Sequence, residues 1–453
     1  MALEILILAA GQGKRMRSAL PKGLHPLAGR PLLGHVLATA RELAPRKIIV
    51  VHGHGAEQVK TAFPEKDIEW VLQAEQLGTA HAVMQAMPRL GADADVLLLY
   101  GDMPVVRADT LKRLLEAGRS GLAVLNADID NHPSFGRVLR DASGSVKRIV
   151  EVRDASAAER AIAEVNVGFY ALNARRLAGW LKKIGNRNAQ KEYYLTDLIE
   201  LSVAEGTPVT GVKVAHAWEA GGVNSKADLA QLERQYQTNT AKRLLESGVT
   251  LADPARIDVR GELECGKDVS IDVNCVFEGR VRLGEGVRIG PNCVIRDCVV
   301  QDGTEILAFS HLDHSEIGAR CRIGPYARLR PGNALAEGVH VGNFVEMKAS
   351  RLGAGAKANH LTYLGDSEVG ARVNVGAGTI TCNYDGAAKH RTVIEDDCFI
   401  GSDATLVAPV RIARGSYIGA GSTISKDTPA GQLTVARARQ VSVPGWKPPR
   451  KKG

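Results

Sequence analysis

Two aliphatic runs in the first hundred residues end on groups suited to phosphate chemistry. The first, Leu3–Leu8, leads into Leu8-Ala9-Ala10-Gly11-Gln12-Gly13-Lys14-Arg15-Met16, with Leu20-Pro21-Lys22 close behind. A glycine turn after a strand lets backbone N–H groups approach phosphate, and Arg15 and Lys22 offer cations for a triphosphate or a departing pyrophosphate. Two familiar loops do not fit. The GxxxxGK[ST] loop needs Ser or Thr where Arg15 stands, and the dinucleotide loop needs a third glycine where Met16 stands. The alternative is a tight turn with solvated cations. The second run, Val96–Tyr100, stops at Gly101-Asp102-Met103-Pro104. An Asp at the carboxyl end of a parallel strand can hold Mg2+ against phosphates, or it can cap a turn or helix.

Further along, charged and amide residues gather over a limited stretch: Arg330, Glu346, Lys348, His360, Tyr363, Asn374 and Asn383-Tyr384. His360 among small and aliphatic neighbours is either a structural histidine or a general base. His52-Gly53-His54 and His311-x-x-His314 lack the Glu or Cys companions of a zinc site and read as surface or core histidines.

The elements that must position these groups fall into two grammars. Up to about residue 226, aliphatic runs (Leu3–Leu8, Ile48–Val51, Ile68–Leu72, Val96–Tyr100) alternate with amphipathic stretches (Pro31–Leu43, Ala56–Phe63, Thr79–Leu90, Ala108–Ala117). Strand–helix alternation predicts a mostly parallel sheet covered by helices on both faces. Ser225–Gly248 has a Ser start, spaced Leu residues and a Gly stop, which predicts one long linking helix. From Ile257 aliphatics recur every six residues, as in Leu283, Ile289, Ile295 and again in Ile400, Leu406, Ile412, Ile418, Ile424. That period predicts a hexapeptide β-helix of about nine coils, with Asn383–Arg391 thrown outward as a loop. A Greek-key sandwich would space its strands differently.

LAAGQGKRM, LPK, QLGTAHAV (residues 76–83) and YGDMP together resemble the sugar-1-phosphate nucleotidyltransferases. With the hexapeptide half added, the whole chain is similar to the bifunctional bacterial N-acetylglucosamine-1-phosphate uridylyltransferase/glucosamine-1-phosphate acetyltransferases. The resemblance implies an α/β plus all-β protein: a Rossmann-like nucleotidyltransferase domain (1–225), a long linker helix (226–248), a left-handed parallel β-helix of hexapeptide repeats (249–436) and a basic tail (437–453). It implies that Leu8, Ala9, Ala10, Gly11, Gln73, Gly78 and Thr79 hold the uridine nucleotide of UTP, with Tyr100 beside them. It gives Arg15 and Lys22 the phosphates, and Gly101, Gly136, Glu151 and Asn166 the sugar phosphate. Asp102 and Asn224 would bind Mg2+. His360 would be the general base of acetyl transfer, Arg330 and Lys348 would grip the phosphate of glucosamine-1-phosphate, and Tyr363 and Asn374 would orient the sugar. Ala377, Asn383, Tyr384, Ser402, Ala420 and Arg437 would line the acetyl-CoA site, with Ser402 an oxyanion donor. The product, UDP-N-acetylglucosamine, is a precursor of peptidoglycan and lipopolysaccharide. The resemblance further implies a homotrimer. Gly23 after Lys22 departs from the larger aliphatic expected there. The rival readings are a single-activity nucleotidyltransferase whose β-helix only regulates or assembles, and a scaffold in which neither site turns over.

Composition narrows the partners. The net charge is +8, but 437–453 carries six basic residues and no acid, leaving +2 for the remainder. A nearly neutral body with a basic tail is not a nucleic-acid face, so the cations serve phosphate-bearing small molecules. All seven Cys lie between Cys265 and Cys398 without a C-x-x-C pair, as expected of small buried hydrophobes in a reducing cytoplasm. Ile5–Ala10 is too short to span a membrane, and no membrane partner is expected.

Overall fold

A computed structural model describes residues 2–130 and 132–448; the last five residues of the expected tail lie outside them. The chain divides into two compact units, 1–236 and 237–453.

In the first unit the four expected strands form as Leu3–Ala9, Lys47–His52, Ile68–Leu72 and Asp95–Tyr100. They pair in parallel, with Leu3–Ala9 between Lys47–His52 and Asp95–Tyr100. Both faces of this sheet are covered, which explains why the strands are aliphatic throughout rather than alternating with polar residues. Ile5 and Ile7 face Leu33, Val36 and Leu37 of the helix Leu32–Glu42, while Leu6 and Leu8 face Ala80 and Val83 of Thr79–Ala86. Beyond the reach of the sequence pattern, Glu164–Asn173 joins the sheet antiparallel to Asp95–Tyr100 and to Leu122–Asp128. Val209–Lys213 closes that edge in parallel.

The long helix runs Lys226–Glu246. The boundary between the units falls inside it. Leu232 packs with Met16, Leu27 and Val223 of the first unit, whereas Ala241 and Leu244 belong to the core of the second.

The second unit is a stack of parallel coils. Val276 pairs with Val294, and the column continues through His311, Arg328, Glu346, Tyr363, Ile380, Thr405 and Thr423. Successive steps are 18, 17, 17, 18, 17, 17, 25 and 18 residues. Three hexapeptides make 18. Coils of 17 have lost one residue, which is why the period of six slips between otherwise regular runs. The step of 25 contains the outward loop, a small hairpin in which Tyr384 bridges Lys389. Inward aliphatics such as Ile289, Ile306, Ile323, Val341 and Val375 fill the interior. All seven cysteines are free, and five are buried. Burial pushes the Cys275 thiol up to about 11 and that of Cys293 to about 12, so they serve as apolar packing. Among the described residues no helix is long and apolar enough to cross a membrane.

Two predictions follow from this packing. Gly342 lies in His340–Asn343, and a Cβ there would stand 2.0 Å from the Asn359 carbonyl oxygen of the next coil. Gly342→Ala should therefore cost about 1–3 kcal/mol, read as a lowered melting temperature of the second unit. An unchanged melt would show that the coils have room to spare.

Asp197 opens the helix Asp197–Ala204, and burial, with Glu200 and Asp154 adding, pushes its carboxyl up to about 6. The folded chain thus holds a proton that the unfolded chain releases near pH 4. Stability falls as pH rises from about 4 to about 6, and the penalty stays in place above that. Asp197→Asn should stabilise the fold at pH 8 by roughly 1–3 kcal/mol and have no effect at pH 4. Equal melting shifts at both pH values would contradict this origin.

Candidate functional site

The crossovers of the first unit leave in opposite directions on either side of Leu3–Ala9. Such a switch opens a crevice at the carboxyl ends of the two central strands. Their ends are tied by the Gly101 N–H, which donates to the Leu8 carbonyl at 2.9 Å. A cavity of about 260 Å³ sits there, lined by Leu8, Ala9, Ala10, Gly11, Lys22, Gln73, Gly78, Thr79, Tyr100, Gly101 and Asp102. These residues come from five separate segments of sequence, and each was expected at one site. Gly78 has φ +114°, and a Cβ on it would meet the Tyr193 carbonyl oxygen at 2.5 Å. The segment after Gln190 therefore closes directly over the start of Thr79–Ala86. Its Leu195 N–H donates to Thr79 Oγ1 at 3.0 Å.

Gln76, Ala82 and Glu192 also line this cavity and were not foreseen. Gln76 had a signal: it follows Gln73 by three residues in the same turn and accepts a hydrogen bond from Gln12 at 2.9 Å. Glu192 had none, because its segment has no periodicity. Gly23 lines the cavity too, and a Cβ there would make only an ordinary 3.4 Å contact with Leu33 Cβ. The position accommodates a Cβ.

Asp102 and Asn224 meet at one cation, the ammonium of Lys22. It donates to Asp102 Oδ2 and, at 2.8 Å, to Asn224 Oδ1. Asn224 is aimed by a cap at the start of the long helix. Asp228 Oδ2 accepts from the Asn224 and Ser225 N–H groups at 2.9 Å each, and the Asp228 N–H returns to Ser225 Oγ. The Val223 N–H donates to the Asp102 carbonyl at 3.0 Å. Two oxygen donors thus converge where a cation already sits. Mg2+ prefers such a pair, completed by substrate phosphates and water. Among the described residues no group of three His, Cys, Asp or Glu could hold a metal by itself. Arg15 and Asn224 line an adjoining cleft of about 480 Å³.

Gly136, Glu151 and Asn166 form a neighbouring wall. The Asn166 N–H donates to the Gly136 carbonyl at 2.9 Å, and its side-chain amide donates to the Tyr170 hydroxyl at 3.0 Å. Thr196 Oγ1 donates to Glu151 at 3.2 Å, and burial pushes the Glu151 carboxyl up. Tyr100 links this wall to the cavity. Its phenol is held neutral first by burial and then by the charges of Glu151 and Asp102.

In the second unit, His360, Ala377, Ser402 and Ala420 occupy one corner of successive coils, each just before a left-handed residue: Leu361, Gly378, Asp403 and Gly421. Backbone bonds chain the corner: Leu361 N–H to Asn343 O, Asp403 N–H to Ala377 O, Gly421 N–H to Ser402 O. Arg437 closes the row by donating to the Ala420 carbonyl at 2.6 Å. His360 is exposed and pairs through Nδ1 with Asn343 Oδ1 at 3.1 Å. An oxygen partner makes Nδ1 the donor and leaves Nε2 the free base.

A second group gathers on the adjoining face. Arg330 pairs with Glu346 at 3.1 Å, Lys348 stands 3.7 Å from Asp366, and the Asn383 amide donates to the same carboxylate. The Tyr363 hydroxyl lies over Gly365, beside Asn383. Lys389, unforeseen, comes from the outward loop to stand by Lys348, whose proximity lowers its pKa. The loop is braced by Asp385, which accepts from the Ala387 and Ala388 N–H groups and pairs with His390 at 2.6 Å. Tyr384 is exposed, its hydroxyl donating to the Gly386 carbonyl at 2.6 Å. Asn374 sits apart on the third face, in register between Lys357 and Phe399.

Comparison with known proteins agrees with this division. Residues 5–164 match the MobA-like NTP transferase domain, residues 259–352 the GMPPB C-terminal domain, and residues 391–426 six repeats of the bacterial transferase hexapeptide. The bifunctional protein GlmU of Aromatoleum aromaticum is 58% identical over 451 residues, 99% of each chain. That of Bordetella parapertussis is 59% identical over 455 residues, covering 99% of this chain and 100% of the relative. That of Ralstonia nicotianae is 57% identical over 448 residues, 99% and 98% of the two chains. At such identity over nearly the full length, the chain belongs to the family of the bifunctional protein GlmU.

Proposed function

We propose that the chain makes UDP-N-acetylglucosamine in two steps, one in each unit. The β-helix first transfers acetyl from acetyl-CoA to glucosamine-1-phosphate. The amino nitrogen attacks the thioester carbonyl, the carbon–sulfur bond breaks and the thiol of CoA leaves. His360 Nε2 takes the proton the nitrogen sheds and passes it to the departing sulfur, with Asn343 fixing the ring. Arg330, Lys348 and Lys389 hold the phosphate, while Tyr363 and Asn374 orient the sugar. Acetyl-CoA lies along the corner of Ala377, Ser402, Ala420 and Arg437, with Asn383 and Tyr384 of the outward loop beside it.

In the first unit a phosphate oxygen of N-acetylglucosamine-1-phosphate then attacks the α-phosphorus of UTP and pyrophosphate leaves. No side-chain nucleophile is needed, since positioning and charge neutralisation suffice. The Leu8–Gly11 backbone, Gln73, Gly78 and Thr79 hold the nucleotide, and Gly101, Gly136, Glu151 and Asn166 hold the sugar phosphate. Asp102 and Asn224 would hold Mg2+, which supplies neutralisation of the phosphates when bound. Lys22 and Arg15 carry the remaining positive charge. The observation that supports this reading best is the convergence of Lys22, Asp102 and Asn224 beside the cavity. The domain limits 1–225, 226–248 and 249–436, a homotrimeric assembly and a cytoplasmic location belong to the same proposal. The basic groups beside His360 favour it over a β-helix that only regulates or assembles.

Asp102→Ala should abolish pyrophosphate release from UTP and N-acetylglucosamine-1-phosphate while thiol release from acetyl-CoA continues. Loss of both in a folded variant would argue against two separate sites. His360→Ala should lower thiol release by ~10²–10⁴-fold and leave uridylyl transfer intact. A loss below about tenfold would reduce His360 to a structural role.

A further inference from the structure

The turn that carries Lys22 carries a second side chain that reaches the same partner segment. His25 is 3% exposed. Its Nδ1 accepts a hydrogen bond from Lys226 Nζ at 3.0 Å. Lysine can only donate, so Nδ1 is the unprotonated nitrogen and the proton sits on Nε2. That N–H is buried beside the Leu20 backbone. An imidazole that accepts from a lysine ammonium makes a polar tie that an apolar side chain filling the same space could not make.

Its place in the fold indicates what that tie does. Lys22 and His25 are the two ends of one short turn, closed by the His25 N–H donating to the Lys22 carbonyl at 3.3 Å. Asn224 and Lys226 stand two residues apart at the start of the long helix. The turn and the helix start are joined twice, in opposite senses: Lys22 donates to Asn224, and Lys226 donates to His25. The first tie cannot survive turnover. An ammonium that turns to a phosphate no longer bridges Asp102 and Asn224. The His25–Lys226 tie involves neither atom and stays closed.

We propose that His25 is a positioning residue for uridylyl transfer: through Lys226 it holds Asn224 in register with the Lys22 turn while Lys22 serves the phosphates. The inference rests on the uridylyl-transfer reading of this site.

The test uses the full-length chain and its variants His25→Leu, His25→Gln, Lys226→Met and the double variant His25→Leu/Lys226→Met. Each is assayed for uridylyl and for acetyl transfer, and for the Kd of Mg2+ in the presence of UDP-N-acetylglucosamine by calorimetry. His25→Leu and Lys226→Met should each lower uridylyl kcat/KM and weaken Mg2+ binding by roughly 10–100-fold, with acetyl transfer within about twofold. The double variant should be no worse than either single one, because both break one bond. His25→Gln, whose Oε1 can accept from Lys226, should recover most of the loss. The proposal is overturned if His25→Leu leaves kcat, KM and Mg2+ affinity unchanged, if the losses multiply in the double variant, or if His25→Gln is as damaged as His25→Leu. An equal loss of acetyl transfer would also overturn it, as a general folding defect. A wild-type chain that releases no pyrophosphate would sink the uridylyl-transfer reading itself, before any variant is compared.

Discussion

Parallel strands in register end together, and both units use that constraint to place their chemistry. In the first unit Ala9 and Tyr100 end adjacent strands, so the glycine loop and Gly101-Asp102 emerge side by side although some ninety positions separate them in sequence. In the second, His360 ends Lys357–His360, while Ser402 and Ala420 follow Phe399–Ile400 and Tyr417–Ile418 by two residues. Pairing at about 4.8 Å per strand stacks these positions into a row. Side chains fixed this way need little support from their own loops, and catalysis by positioning depends on that rigidity.

Regular backbone is also what the sequence could reveal. The LEILIL run, the period of six and the Ser-to-Gly bounds of the long helix all express a repeated burial pattern, and each reappears in the fold. The cavity's first wall was legible for the same reason, since Gly11, Lys22 and Asp102 follow directly on such patterns. Glu192, Thr196 and Lys389 were not. They lie on irregular segments held by local, non-repeating hydrogen bonds or by a neighbouring charge, and no spacing announces them. The antiparallel strand Glu164–Asn173 escaped for a different reason. It is buried along nearly its whole length, so it lacks the alternation that marks an edge strand. The corner row of His360, Ala377, Ser402 and Ala420 was legible only by resemblance, because coils of 17 and 25 residues break the spacing that would connect them.

Charge follows the same division of labour. The outer faces of the coils carry ladders such as Arg288–Glu305–Arg322 and Asp258–Arg260–Glu278. Exposed pairs of this kind contribute about 0–1 kcal/mol each, so inward aliphatics hold the stack while the ladders keep its sides soluble. The cations that matter are few and are placed against specific carboxylates: Lys22 against Asp102, and Lys348 against Asp366. In both cases a lysine rests on an acid where a phosphate is proposed to bind, so on that proposal each lysine exchanges its carboxylate partner for the phosphate.

The corner beside His360 changes character along the stack. After Asn274 and Asn292 in the first coils, the left-handed positions leading up to the histidine hold Phe309, Tyr326, Phe344 and Leu361, at 49%, 47%, 56% and 62% exposure. The rings of Phe309, Tyr326 and Phe344 stack on one another, with centroids 4.9 and 5.3 Å apart. Bulky residues are unusual at positive φ, where glycine, asparagine and aspartate are the ordinary occupants. Past His360 those ordinary occupants return as Gly378, Asp403 and Gly421. The corner is therefore built up on one side of the histidine and cleared on the other. At the proposed acetyl-CoA site, a long thioester laid along this corner would meet open backbone only over the later coils, with its reactive end toward His360. The change in side-chain size would then set the polarity of that proposed site, with the histidine where the two halves of the corner meet.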